Sequence, residues 1–351
     1  MAKITKTKIA IIVDVEGWAY YNNALEIKKN LKDYYDIDII PIDIFNENIV
    51  KVFILTTDYD LTYFMWRGAI SWLYSEMSRK YIEDLGYEFE EFLQEFVRSR
   101  NITTGVYDHL FINSEEERTE FILNNVKDYI VSSEKLKRIY DEKYDKKPNM
   151  VISDGVDLDL FKMEDLNKFK ELKDNDTIRI GWTGNSKFAD EAGDDLKGLN
   201  KIINPAIKEL KEEGYKIELA VADRNIKFIP HNEMPQYYNK IDIYICASRT
   251  EGSPDTVIEA MACGIPIIST DVGIVPEVFG EKQKEFIIER TKEELKKKII
   301  NLISNKQKFK MLSDENLKQI QKWDWKNQGQ KYKEFFKLCI EKYSEERKYE
   351  K

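Results

Sequence analysis

Two glutamates eight residues apart, Glu251 and Glu259, are the side chains whose type and setting packing explains least. Glu259 interrupts the run Thr256-Val-Ile-Glu-Ala-Met-Ala-Cys263, which is otherwise apolar nearly all round and predicts a helix buried in a large domain. A carboxylate there is costly unless it is paired or hydrogen-bonded. Glu251 precedes that helix in a loop, and at about 1.5 Å of rise per residue Glu259 would lie ~8 Å beyond Pro254. Each acid also has a plain structural reading, since a helical Glu can pair with a neighbouring Lys or Arg and a loop Glu is usually solvated.

The elements around them narrow the choice. Ile241 to Ala247 and Ile265 to Thr270 are short β-branched apolar runs, as buried strands are. Between them Ser253 reads as N-cap, Pro254 as the first helical residue and Gly264 as the C-terminal stop. The unit is βαβ, Glu251 would sit at the edge where open α/β sheets bind ligands, and the two acids and the helix N-terminus are expected to share one crevice. Upstream, the loop Thr183-Gly184-Asn185-Ser186-Lys187 follows a predicted strand, and Lys197-Gly198 opens the predicted helix Leu199 to Glu213. A glycine-containing loop before a helix N-terminus, completed by lysine, is a natural anion site.

Composition bounds the rest. The 351 residues suffice for two domains, and 42% hydrophobic with 34% charged residues describes a sizeable core under a charged surface. A net charge of -9 argues against broad nucleic-acid binding. Cys246, Cys263 and Cys339 are widely spaced and read as buried thiols of a reducing compartment, with no metal site implied. The N-terminal apolar run ends at Asp14 and reads as a first strand rather than a signal peptide, and no stretch approaches a membrane span, so a cytoplasmic location is expected.

Along the chain, strand-like runs at Lys8 to Val15, Ile37 to Ile44, Lys51 to Leu55, Leu61 to Trp66 and Asp128 to Val131 alternate with helical stretches from Tyr20 to Tyr34, Ala69 to Leu85, Phe89 to Arg98 and Ser132 to Tyr144. Leu25 and Leu31 are expected inward on the first of these helices. This alternation implies a parallel sheet. The first βα loop, Glu16-Gly17-Trp18, lacks G-x-G-x-x-G, which disfavours a dinucleotide cofactor. Ile102 to Leu110 runs from a strand into a loop carrying His109, one of two histidines, which could bond a sugar or serve structure alone. The polar break Asp141 to Pro148 marks a domain boundary, giving domains 1-147 and 148-325 and a terminal helix 326-351. Asp157-x-Asp159 resembles a metal-binding pair, but Asp36-x-Asp38 and Asp58-x-Asp60 repeat the spacing by chance.

The segment EGSPDTVIEAMACGIPIISTDVG from Glu251, followed by Pro276-Glu277, closely resembles the donor-site signature of the retaining GT-B glycosyltransferases of family 4, the glycosyl transferases group 1. VISDGVDLDLF is similar to their interdomain segment, and the resemblance is specific over roughly residues 150 to 280. It implies an α/β fold of two Rossmann-like domains with parallel sheets facing an interdomain cleft. The first would present an acceptor, the second would bind a nucleoside-diphosphate sugar, and the last helix would return to the first domain.

By the same resemblance Glu251 would be the catalytic carboxylate, as nucleophile or as electrostatic partner of the sugar. Glu259 would take the ribose hydroxyls and Lys197 the diphosphate, with Lys187 standing in for a missing arginine. Gly252 and Ser253 would border the donor, Ile229 would grip the nucleobase by its backbone, and Gly17 would let backbone approach the phosphates. Where the family carries a His-Asp pair this chain reads Tyr107-Asp108-His109, so the sugar contact falls to Tyr107 or His109. No metal or other cofactor is required, because lysines and a helix N-terminus can stabilise the leaving diphosphate.

The implied reaction is hexosyl transfer to a glycan or lipid-linked acceptor in bacterial cell-surface polysaccharide synthesis, from which a peripheral membrane contact would follow. A GT-B nucleotide-sugar 2-epimerase and a non-catalytic sugar-nucleotide-binding protein are the alternatives, the former expected to carry more catalytic acids and histidines. The donor base, the sugar, the acceptor and the oligomeric state are open at this stage.

Overall fold

The structure, a computed structural model, describes residues 6–110, 112, 116–170, 172–173, 176–187 and 193–349. The chain forms two compact units, Met1–Asp154 together with Trp325–Lys351, and Gly155–Asp324. The expected boundary at 147 thus falls short of the observed division after Asp154, because the short strand Met150–Val151 pairs with Asp128–Val131 and stays with the first unit. At the other end the second unit closes at Asp324 rather than 325.

The first unit holds a six-stranded sheet of β1 (Thr7–Val13), β2 (Tyr35–Pro41), β3 (Leu61–Phe64), β4 (Ile102–Val106), β5 (Asp128–Val131) and β6 (Met150–Val151), in the order β2-β1-β3-β4-β5-β6. All its pairings are parallel, with Ile9 opposite Ile37 and Ile11 opposite Ile39. Alternate β1 side chains serve different cores, as a strand's period of two requires. Ile9, Ile11 and Val13 join Ile27 and Leu31 of helix Ala19–Leu31 and the aromatic face of helix Trp325–Tyr349, while Ala10 and Ile12 join Val50, Phe53 and Leu73. Covered on both faces, the sheet needs the near-continuous apolar strands seen in the sequence.

The second unit holds β7 (Ile178–Gly184), β8 (Ile217–Asp223), β9 (Ile243–Cys246), β10 (Ile267–Thr270) and β11 (Ile287–Ile288), ordered β11-β10-β9-β7-β8 and again all parallel. Helix Asp255–Ala262 crosses from β9 to β10 with Val257, Ile258, Ala260 and Met261 fully buried. All three cysteines are buried and unbridged.

Several local expectations change. Lys51 to Leu55 lies in a helix, Ile49–Leu55, whose N-cap Asn48 accepts the Lys51 N–H, so an apolar run that fits either period is decided by its cap. Residues 69 to 85 are broken at Ser75, which caps a new helix Glu76–Asp84. Leu25 is exposed, whereas Leu31 is fully buried. Pro254, rather than Ser253, is the N-cap of helix Asp255–Ala262. Among the described residues no helix is long and apolar enough to cross a membrane.

Candidate active site

In the second sheet β7 has β8 on one side and β9 on the other, so the chain reverses its direction of winding about β7. Loops leave β7 and β9 at the C-terminal ends of these adjacent strands, the general ligand position of such sheets. Lys197 comes from the first loop and Glu251 from the second, and they meet with Nζ to Oε1 at 2.5 Å. Their side chains are only 27% and 17% exposed, so the pair is largely shielded from water. Burial alone would lower the pKa of the Lys197 ammonium, but the Glu251 carboxylate outweighs it and leaves the lysine raised.

Backbone contacts fix this meeting. Arg249 N–H donates to Leu196 C=O at 2.8 Å, and Trp182 Nε1 donates to Lys197 C=O at 3.4 Å. Gly198 has φ +74°, and a Cβ there would lie 2.4 Å from Ala247 O, so only glycine lets the two loops approach so closely. Arg290 ties both loops, donating from Nε to Ala247 O at 2.8 Å and from Nη2 to Asp195 O. On the far side Gly252 C=O accepts Ile274 N–H at 3.1 Å, and Gly273, at φ +48°, would place a Cβ 2.0 Å from Gly252 O. Gly252 is buried and Ser253 half-buried beside it.

Glu259, 6% exposed, has partners that its sequence neighbourhood does not contain. Its Oε1 lies 2.9 Å from His231 Nε2, and its Oε2 accepts the Tyr238 hydroxyl at 2.7 Å. The His231 ring lies against Phe161, centroids 5.1 Å apart. Burial, then the nearby Glu259 carboxylate, pushes the Tyr238 hydroxyl well above its ordinary pKa, so it donates. A carboxylate has about four acceptor positions, so these two bonds leave capacity for further donors. Glu251 and Glu259 therefore have different immediate partners, Lys197 for one and His231 with Tyr238 for the other.

Lys187 is exposed and its loop is fastened to the β8 side of the sheet. Its N–H donates to Asn185 Oδ1 at 3.0 Å, and Ser186 donates to Asp223 from N at 3.2 Å and Oγ at 2.5 Å. Burial would raise the Asp223 carboxyl, but its bonds from Ser186 and Asn225 lower it on balance. Ile229 is half-buried, two residues before His231. Asp157 Oδ1 accepts the N–H groups of Asp159 and Leu160 at 2.9 and 3.2 Å, which makes it a turn cap. Among the described residues no group of three or more His, Cys, Asp or Glu converges as a metal cluster would.

In the first unit Gly17 is exposed at φ +75° with nothing within 4 Å of a Cβ position. Tyr107 is removed from the choice the sequence left open. Its hydroxyl lies between Tyr63 at 2.6 Å and Tyr332 at 2.5 Å, buried in the core. His109 is half-buried and lines a hollow of about 360 Å³ with Ile139 and Glu142. Both of its neighbours are gripped by Arg67, 1% exposed, through Asp108 Oδ1 at 2.8 Å and Leu110 C=O at 2.5 Å. Burial would lower the Arg67 pKa, yet Asp108 raises it on balance. Arg67, Tyr238, Asp223 and Arg290 escaped sequence reasoning, and only Asp223, an acid at a strand's C-terminal end, carried a local signal.

The fold is that of the GT-B glycosyltransferases, two Rossmann-like α/β units with parallel sheets. Residues 198–319 match the family model described as Glycosyl transferases group 1, which spans the helix of Glu259 and the loop of Glu251. Similar curated proteins include a lipopolysaccharide core biosynthesis mannosyltransferase, LpsB, of Rhizobium meliloti (strain 1021), 38% identical over 82 residues covering 23% of each chain. A capsular polysaccharide biosynthesis glycosyltransferase, CapM, of Staphylococcus aureus is 24% identical over 161 residues, 39% of this chain and 40% of its own. The matches thus span about a quarter to two fifths of these relatives' lengths. Among solved structures, sucrose-phosphate synthase from Thermosynechococcus elongatus is similar with a TM-score of 0.67 at 13% identity, covering 95% of this chain and 99% of its own. Anabaena HepE in complex with UDP and glucose gives 0.64 at 14% identity, covering 95% and 100%. At such identities these structures support the fold alone.

Proposed function

We propose that this chain transfers a sugar from a nucleoside-diphosphate sugar to an acceptor hydroxyl, with retention at the anomeric carbon and without a metal. The observation that carries this reading is the shielded Lys197–Glu251 pair at the switch point of the second sheet, Lys197 directly before the matched segment and Glu251 within it.

Transfer breaks the bond from C1 to the diphosphate oxygen, whose electron pair leaves with the nucleoside diphosphate. The acceptor oxygen bonds C1 and passes its proton to the departing diphosphate oxygen. Lys197, held charged by its carboxylate partner, is suited to exchange that partner for the diphosphate and to stabilise the departing charge. Glu251, released as the lysine turns, is then a carboxylate beside a carbon developing oxocarbenium character. Glu259 supplies its remaining acceptor positions to the ribose hydroxyls, oriented by His231 and Tyr238. His109, Gly17, Gly252, Ser253, Ile229 and Lys187 are assigned to the donor's surroundings on the family resemblance. Relatives named for polysaccharide synthesis support a cell-surface glycan as the acceptor.

Thermal-shift screening of the intact chain against UDP-, GDP- and ADP-sugars tests this. A ligand at 100 times its dissociation constant adds ~2.7 kcal/mol of stability and raises the melting temperature. Glu251→Gln should then lower turnover on the order of 10²-fold or more with donor-induced stabilisation retained. A chain stabilised by no nucleotide-sugar, or an unimpaired Glu251→Gln enzyme, would refute the reading.

A further inference from the structure

The first unit carries a hollow of about 1090 Å³ between the turn after helix Gly68–Ser71 and helix Glu116–Asn125. Its chemistry is that of a surface for sugars. One wall is aromatic. Trp72 lies edge-on to Trp66 with centroids 5.3 Å apart, and Tyr74, 62% exposed, is held by Phe121 at 5.4 Å and by the Arg79 guanidinium 4.4 Å from its ring centre. The ring is thus fixed in place while much of it faces solvent.

The opposite wall is a helix face. Glu117, Glu120 and Asn124 recur at helical spacing and all three line the hollow, exposed. Between the walls, Arg118 is anchored by its Nε bond to the buried Ser71 hydroxyl at 2.6 Å, so the lining is built rather than incidental. Among the described lining residues Glu116 is paired with Lys143, and Glu117 and Glu120 remain against Arg118, a balance that disfavours phosphate and accepts hydroxyl donors. Pyranose rings have an apolar C–H face for the aromatics and an edge of hydroxyls for carboxylates and amides. The volume of about 1090 Å³ is at the upper end of the usual ~300–1,000 Å³ of a ligand site and leaves room for more than one sugar.

We infer that this hollow binds a neutral oligosaccharide and holds the non-reacting sugars of the acceptor. Its role in transfer rests on the function proposed above, while the binding itself does not. The test is a microbial glycan array probed with the intact chain, followed by titration calorimetry of the neutral glycans it retains. Tyr74→Ala and Glu120→Gln, both at exposed positions, should each weaken binding roughly tenfold, and Trp72→Ala at least as much, with melting curves and UDP-induced stabilisation unchanged for the first two. Capture of no neutral glycan, or affinities unaltered in Tyr74→Ala and Glu120→Gln, overturns the inference. Stabilisation by UDP with no glycan captured would sink this inference and leave the proposed function standing, and glycan capture without nucleotide binding would do the reverse.

Discussion

Lys197 and Glu251 hold each other, and that makes their interaction measurable as stability. The folded-state pKa of Lys197 is raised above its ordinary 10.5, so its contribution is fully present below pH 10.5 and is lost as pH rises through the folded value. Lys197→Met should destabilise the protein by about 2 kcal/mol at neutral pH, less than the ~3–5 kcal/mol of a fully buried pair because both side chains retain some exposure. The gap in melting temperature between the two proteins should stay constant from pH 7 upward and narrow above pH 10.5. A gap that fails to narrow at high pH would contradict the assignment. At Glu259 the issue is orphaned donors. Glu259→Ala leaves the buried Tyr238 hydroxyl without its acceptor, for ~1–3 kcal/mol of stability, whereas Glu259→Gln keeps an acceptor oxygen and should preserve the fold while weakening binding of whichever nucleotide the donor screen identifies. Chemical denaturation and calorimetry on the two variants separate these effects.

Helices and strands set where those side chains can be, and two elements offer direct tests. Gly198 and Gly86 both have positive φ, yet a Cβ at Gly86 meets nothing within 4 Å while one at Gly198 meets Ala247 O. Gly86→Ala should therefore cost only the ~1–2 kcal/mol of left-handed strain, and Gly198→Ala more, together with loss of donor binding as the loops of Lys197 and Glu251 separate. Elsewhere Glu209, on helix Asn204–Glu212, bonds Lys292 at 2.6 Å and Lys296 at 2.8 Å on helix Lys292–Ile303. The bond from Lys292, then that from Lys296, lowers its pKa to about 2 from an ordinary 4.5, so the clamp contributes above pH 4.5 and fades as pH falls toward 2. The melting temperatures of wild type and Glu209→Gln should differ at pH 6 and converge below pH 4.5.

These elements also show what a sequence can carry. The strands at Ile9, Ile180, Ile243 and Ile267 were legible because burial on both faces demands unbroken β-branched runs. Residues 51 to 55 have the same composition and fold as helix, since Asn48 supplies a cap that periodicity alone does not weigh. The loop of Glu251 and the helix of Glu259 announced themselves by charge in apolar surroundings. Their partners did not, because Tyr238 and His231 lie 21 and 28 residues from Glu259 and only the folded sheet brings them together. Arg67 likewise reaches Asp108 across 41 positions of chain.

On the scale of the whole molecule, the first unit is discontinuous in sequence. Its core contains Trp325, Tyr332, Phe335, Phe336 and Cys339 from the last helix, and the Tyr332 hydroxyl completes the chain through Tyr107 to Tyr63. Phe336→Ala should cost ~3–5 kcal/mol by denaturant titration, a large share of the ~5–15 kcal/mol that holds an ordinary domain together. The second unit has no such dependence, since Gly155–Asp324 is a single continuous stretch. On the ribosome the polypeptide emerges from its amino end, so the first unit stays unfinished until the helix that starts at Trp325 has left the exit tunnel, by which time the second unit has had every part it needs. For that interval an apolar sheet face stands bare, and a nonsense change ahead of Trp325 would leave it bare for good, marking the product for aggregation or proteolysis rather than for partial function.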